Sequence, residues 1–161
     1  MEVPKTFLAL IKENGWDKQI YELSKDDYLL RLKKRYAKTD YEISRELWEK
    51  LSLVYELKLR YPNLSGDVET LYFDSKKANK YGTDFVNRLC SKFGVRNMLY
   101  IGDIHPGYMT IWVDDQENLW GDYDKVKAFW GKGFFEGILN LVNQGGEALP
   151  KYTVLPSNSH R

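Results

Sequence analysis

The chain has 161 residues, a length that fits one domain with a substantial buried core. Hydrophobic residues make up 43% and charged residues 29%, a balance typical of soluble globular proteins and not of disordered chains. The net charge of +1 argues against a general nucleic-acid binder, because that role usually requires a strong basic excess. We therefore expect no direct binding of nucleic acid.

Targeting signals are not evident in the sequence. The apolar run from Phe7 to Ile11 is too short for the core of a signal peptide, and charged residues follow it. No window approaches the roughly 18 apolar residues that a membrane-spanning helix needs. The single cysteine, Cys90, cannot form an internal disulfide and is expected in the core. These features predict a cytoplasmic protein without a membrane partner.

Three helices are predicted in the first part of the chain. Apolar residues recur at helical spacing after Val3, and Gly15 is a stop signal. Ser24 with Asp27, and Thr39 with Glu42, then resemble the capping pairs that begin helices. The three helices are predicted at about 3–14, 24–38 and 39–61, with the last interrupted by Pro62.

The remainder of the chain alternates between strand and helix patterns. V-E-T-L-Y-F-D alternates with period two, and a helix then runs from Asp74 or Ser75 to Phe93 with Gly94 as its stop. Strands follow in N-M-L-Y-I-G-D-I, Y-M-T-I-W-V-D-D, N-L-W-G-D-Y-D and V-K-A-F-W-G, and G-F-F-E-G-I-L-N-L-V-N-Q-G-G forms a last helix. This order predicts an α+β fold: a mainly antiparallel sheet of about four to six strands with helices packed on it. We predict one domain, 1–161, with its core at about 3–146 and a loose tail at 147–161.

Charge and aromatic rings concentrate in the predicted hairpins. Residues 18–38 contain seven Lys or Arg against three Asp or Glu, whereas residues 101–124 contain six Asp or Glu and no Lys or Arg. Alternate residues of a strand point to opposite faces, so Ile111 and Val113 are expected in the core and Trp112 and Asp114 on the other face. We predict an exposed face of rings and carboxylates suited to a basic partner. The candidate partner-binding residues are Asp103, Trp112, Asp114, Asp115, Glu117, Trp120, Asp122, Tyr123 and Asp124.

Other interpretations of the same stretch remain open. Helices could cover the tryptophans while the acids only solubilise the turns. Carboxylates beside tryptophans also suit a small-molecule or carbohydrate-binding domain, or a hydrolase with paired carboxylates. A basic face on the second helix is an alternative docking surface for a protein partner.

Motifs for metal binding or catalysis are missing from the sequence. A calcium loop that starts at Asp114 would need Gly at its sixth position and Glu at its twelfth, where this chain has Leu119 and Lys125. One cysteine and two distant histidines do not suit zinc, and no G-x-S-x-G, P-loop or dinucleotide fingerprint occurs. We predict no catalytic residue, no metal and no cofactor.

The order of the motifs resembles the third subgroup of the SUKH superfamily. The resemblance covers about residues 8–146 and rests on L-I-K-E-N-G-W, L-R-Y-P-N-L-S-G, V-E-T-L-Y-F-D, I-G-D, I-W-V-D-D-Q-E-N-L-W-G and G-K-G-F-F-E-G-I-L-N-L-V-N-Q-G. This chain departs from the family pattern at 63–66, where two glycines are common, and at Glu117-Asn118, which replaces a turn glycine.

The resemblance implies an α+β fold and the role of an immunity protein. Such a protein is a cytoplasmic antidote that binds and blocks a cognate secreted toxin domain, such as a nuclease or deaminase, without catalysis of its own. A role as an intracellular scaffold or regulator is also associated with the wider superfamily. We expect a toxin domain as the protein partner, and a monomer or weak dimer.

Overall fold

The computed structural model describes residues 1–106 and 109–143, and the backbone of 151–154. Its helices are α1 (Lys5–Glu13), α2 (Lys18–Arg35), α3 (Arg45–Leu53), a 3-10 helix (Ser75–Lys77), α4 (Thr83–Phe93) and α5 (Phe134–Val142). Its strands are β1 (Lys58–Pro62), β2 (Val68–Tyr72), β3 (Met98–His105), β4 (Thr110–Asp114), β5 (Leu119–Tyr123), β6 (Val126–Gly131) and β7 (Lys151–Val154).

The strands form one antiparallel sheet in which every strand lies beside its neighbour in sequence, from β1 to β7. The predicted α+β class, with a mainly antiparallel sheet and helices packed on it, is therefore confirmed. β7 falls inside the segment predicted to be a loose tail, where it pairs with β6. The rest of that segment, 147–150 and 155–161, lies outside the described residues.

Helices cover both faces of the sheet. Buried residues of α1, α2, α3 and α5 share one cluster with inward residues of the strands, including Ile111 and Val113. A second, smaller cluster joins α4 to the opposite face, where it contains Tyr100 and Trp112. Alternation along β4 separates Val113 from Trp112 in this way, as the sequence predicted.

Several helix limits differ from the predicted ones for local reasons. α2 begins at Lys18 because the Asp17 carboxylate accepts a hydrogen bond from the Ile20 amide at 2.9 Å. The helix predicted up to Phe93 is interrupted, and α4 begins only after Gly82. α4 ends as predicted at Gly94, whose φ of 70° is left-handed.

The first strand, β1, was not predicted. The helical pattern continued through Leu57, but α3 ends at Leu53 and Glu56 adopts a left-handed φ of 53°. The chain then extends, with Leu59 and Tyr61 buried on one face. Leu57 therefore continues the helical spacing of α3 but lies outside the helix, directly before β1.

Candidate functional site

The nine predicted site residues lie at three separate places around the β4–β5 hairpin. Asp114 ends β4, and Asp115 and Glu117 follow it in the turn before β5. Trp112 and Trp120 face each other across the strand pair. The other four lie toward the opposite end of the hairpin, where Asp103 pairs with Thr110 and Thr110 with Asp122; they are Asp103, Asp122, Tyr123 and Asp124. We predicted that these residues form one surface, but the structure places them at separate positions.

Asp114 organises the β4–β5 turn from inside the protein. Only 3% of this residue is exposed. One carboxylate oxygen accepts hydrogen bonds from the amides of Gln116 and Asn118, both at 2.9 Å. The other accepts from the Asn118 side chain at 3.2 Å and from Trp120 Nε1 at 3.0 Å. The carboxylate is thus a structural acceptor, and the prediction that it is exposed is wrong.

The tryptophans of the hairpin lie beneath α4. Trp112 is 1% exposed and packs against Phe85 and Tyr100. Trp120 is half-buried and stacks on Phe93, with ring centroids 5.2 Å apart. The predicted exposed aromatic face is therefore wrong for Trp112, because alternation places its ring on the face that α4 covers. The rings form a second core.

Asp103 also lies inside the protein, with 5% exposure. Its Oδ2 accepts hydrogen bonds from the Tyr100 hydroxyl at 2.7 Å and from Lys77 Nζ at 2.8 Å. Burial and the bond to this carboxylate raise the pKa of Tyr100, and the bond to Asp103 raises the pKa of Lys77. Asp103 therefore links β3 to Lys77 of the 3-10 helix. The prediction that Asp103 is exposed is wrong.

Lysines from distant elements neutralise much of the acidic stretch. Lys50 of α3 approaches Glu117 with an N···O distance of 2.8 Å, and Lys92 of α4 pairs with Asp122. Together with the Lys77 contact, they pair three of the six acids. Burial raises the pKa of Asp122, and Lys92 partly offsets that rise. Sequence reasoning missed these lysines because they lie 67, 30 and 26 residues away from their partners.

Three of the predicted residues retain exposed side chains. Asp115 lies in the β4–β5 turn, whereas Tyr123, which is 48% exposed, and Asp124 lie at the far end of β5. The five residues of β5 span roughly 15 Å at about 3.4 Å per residue. Asp115 is therefore separated from Tyr123 and Asp124 by the length of β5.

An open polar depression adjoins Asp115. It has a volume of about 390 Å³ and is lined by Tyr41, Glu42, Arg96, Asn97 and Asp115. Tyr41 donates a hydrogen bond to the Asp114 carbonyl at 2.6 Å, so the loop between α2 and α3 is tied to the hairpin turn. Burial raises the pKa of Tyr41, with the nearby carboxylates adding to the rise.

The depression joins three loops that are distant in sequence. Asn97 Nδ2 donates to the Asp40 carbonyl at 3.3 Å, and the Arg96 amide donates to the Asp115 carboxylate at 3.4 Å. Asp40, Glu42 and Asp115 are exposed beside the exposed Arg96, so acidic groups outnumber basic ones here. Of the residues that line the depression, only Asp115 was predicted as a site residue, because no local sequence pattern shows which loops lie together in the fold.

The residues that the structure describes contain neither a metal-binding cluster nor a membrane-spanning helix. In these residues no group of three or more His, Cys, Asp or Glu is placed to hold a metal ion. Cys90 of α4 is buried in the smaller core cluster, and this burial raises the pKa of its thiol. Within the same ranges no helix is long and apolar enough to cross a membrane.

Comparisons with protein-family models, with curated proteins and with solved structures gave no match.

Proposed function

We propose that this protein is an immunity protein that binds a cognate toxin domain and blocks it, acting by binding and not by catalysis. The order of sequence motifs that resembles the SUKH superfamily supports this role. The observation that carries the proposal is the acidic, open depression between the hairpin turn and two neighbouring loops. A toxin that acts on nucleic acid needs a basic cleft for its phosphate-bearing substrate, and this depression has the complementary charge.

The acidic depression, lined by Tyr41, Glu42, Arg96, Asn97 and Asp115, replaces the hairpin face as the proposed docking surface. Glu42 and Asp115 are exposed and supply negative charge for steering a basic partner. Tyr41 and Asn97 hold the loops in place through bonds to the Asp114 and Asp40 carbonyls. A partner therefore meets a surface that is formed before binding, which lowers the cost of ordering it.

Charge reversal at the depression tests the proposal. A toxin domain recovered with this protein in a pull-down would be produced in cells, together with the wild-type protein or with the double variant Glu42→Lys/Asp115→Lys. The wild type is expected to restore growth, and the variant to protect poorly, because the basic cleft would meet added positive charge. Protection is measured as colony survival at equal protein levels.

A matched variant controls for the change in net charge. Glu13 and Glu136 are exposed acids outside the depression, and Glu13→Lys/Glu136→Lys changes the net charge by the same amount. This control is expected to protect as well as the wild type. Equal protection by both variants would place the docking surface elsewhere, and no protection by the wild type would refute the immunity role against that toxin.

The carbohydrate-binding alternative depended on exposed tryptophan faces. Trp112 is buried, Trp120 stacks on Phe93, and Trp130 is only 2% exposed. A sugar ring that stacks on these indoles would first have to displace α4 or the main core. The packing of the hairpin therefore favours a protein partner at the acidic depression over a sugar at the tryptophans.

A further inference from the structure

α2 carries large apolar side chains on two opposite faces. Inward, Leu32 is 2% exposed and belongs to the main core. Outward, Leu23 is 82% exposed, Ile20 58% and Leu30 54%. At about 100° per residue, Leu23 and Leu30 lie within about 20° of each other, and Leu32 lies about 160° away from Leu30. The outward leucines are thus exposed and belong to neither core cluster.

The charges beside Leu30 are arranged symmetrically about it. Asp26 and Asp27 precede it by four and three residues, and Lys33 and Lys34 follow it by three and four. All four residues are exposed, and they lie within about 60° of Leu30 around the helix. The outward face is therefore acidic on one side of Leu30 and basic on the other.

We propose that this face binds the same face of a second copy of the chain, with α2 antiparallel to α2 and a two-fold axis at Leu30. In a two-fold interface residue i meets residue j, and j meets i. An antiparallel pairing centred on Leu30 places Asp26 of each copy beside Lys33 of the second copy, and Asp27 beside Lys34, because the members of each pair lie on the same side of Leu30 around the helix. The two Leu30 side chains meet at the axis.

A register that paired more apolar surface would be electrostatically unfavourable. Matching Leu23 of one copy to Leu30 of the other moves the axis between Asp26 and Asp27, so that carboxylates face carboxylates. Asp27 also forms an exposed ion pair with Arg31 at 3.1 Å, in which both side chains are more than half exposed. Such a pair contributes little, so it does not prevent Asp27 from pairing across the interface.

The size of this surface predicts a weak, salt-dependent dimer. One face of one helix falls at the low end of interface sizes, below about 1,200 Å² of total buried area. Ion pairs at its rim are screened as ionic strength rises. The acidic depression is formed by loops and not by this face of α2, so self-association is independent of the proposed toxin binding.

Two double charge reversals test the proposal by sedimentation velocity at about 0.01 M salt, where the Debye length is about 30 Å. The variant Asp26→Lys/Asp27→Lys places lysines against lysines in the dimer, and Lys33→Glu/Lys34→Glu places acids against acids. Each variant alone is expected to be monomeric at concentrations where the wild type is dimeric. An equimolar mixture of the two is expected to dimerise again, because every facing pair is then of opposite charge.

Leucine substitutions supply the matched control. Leu30→Asp is expected to abolish the dimer, whereas Leu64→Asp, at a 66% exposed leucine in the β1–β2 turn, should leave it intact. Circular dichroism checks that each variant retains its helices. A monomeric wild type, a mixture that fails to dimerise, or a Lys33→Glu/Lys34→Glu variant that still dimerises alone would each overturn the proposal.

Discussion

Replacement of Asp114 by alanine is expected to destabilise the protein by about 3 kcal/mol. Four N–H donors lose their acceptor: the Gln116 amide, the Asn118 amide, Trp120 Nε1 and, through the longest bond at 3.2 Å, the Asn118 side chain. These hydrogen bonds are partly buried, and the loss of one such bond costs about 1 kcal/mol, so the three shorter bonds account for the expected loss. Asp114→Asn keeps one carbonyl oxygen for the amides and is expected to lose about half as much.

Urea unfolding followed by tryptophan fluorescence measures this effect, since Trp120 lies in the turn that Asp114 organises. Asp115→Ala is the matched control: the neighbouring acid is exposed, and its loss should change the free energy of unfolding by at most about 0.5 kcal/mol. If Asp114→Ala cost under about 1 kcal/mol, a surface value, the buried-acceptor role would be refuted.

Two further predictions concern packing and pH. In Gly137→Ala the new Cβ would lie 2.4 Å from Leu119 Cβ, so a loss of about 1–3 kcal/mol is expected from overpacking between α5 and β5; unchanged urea stability would contradict that contact. A hydrogen bond to the Glu56 carboxylate and burial raise the pKa of Tyr72 from 10.0 to about 12. Its stabilising effect is therefore complete below pH 10 and is lost as the pH rises toward 12, so the stability difference between wild type and Tyr72→Phe should shrink over that range; a constant difference in urea titrations would disprove the linkage.

Local patterns predicted much of the fold. Alternation in β4 assigned Val113 and Trp112 to opposite faces, and Gly94 ended α4 because it adopts a left-handed conformation. β1 was missed because Leu57 continued a helical spacing, and nothing local indicates the left-handed turn at Glu56. The spacing of apolar residues does not show where a helix ends when the residues beyond it continue the same spacing.

The site depended on contacts between distant segments and was predicted only in part. Asp115 is exposed as expected, but Asp103 and Asp114 are buried, and their burial follows from α4 and the 3-10 helix packing over the sheet. Lys50 reaches Glu117 across 67 residues, a pairing that only the fold reveals. A count of charges along the chain therefore overestimates the acidity of the hairpin surface.

The most direct test of the proposed function is the association rate constant between this protein and the purified toxin domain, measured at increasing salt. The wild type should associate quickly at low salt and more slowly as salt screens the acidic depression, whereas Glu42→Lys/Asp115→Lys should associate slowly with a weaker salt dependence. Equal rate constants and equal salt dependence for the two proteins would contradict docking at the depression.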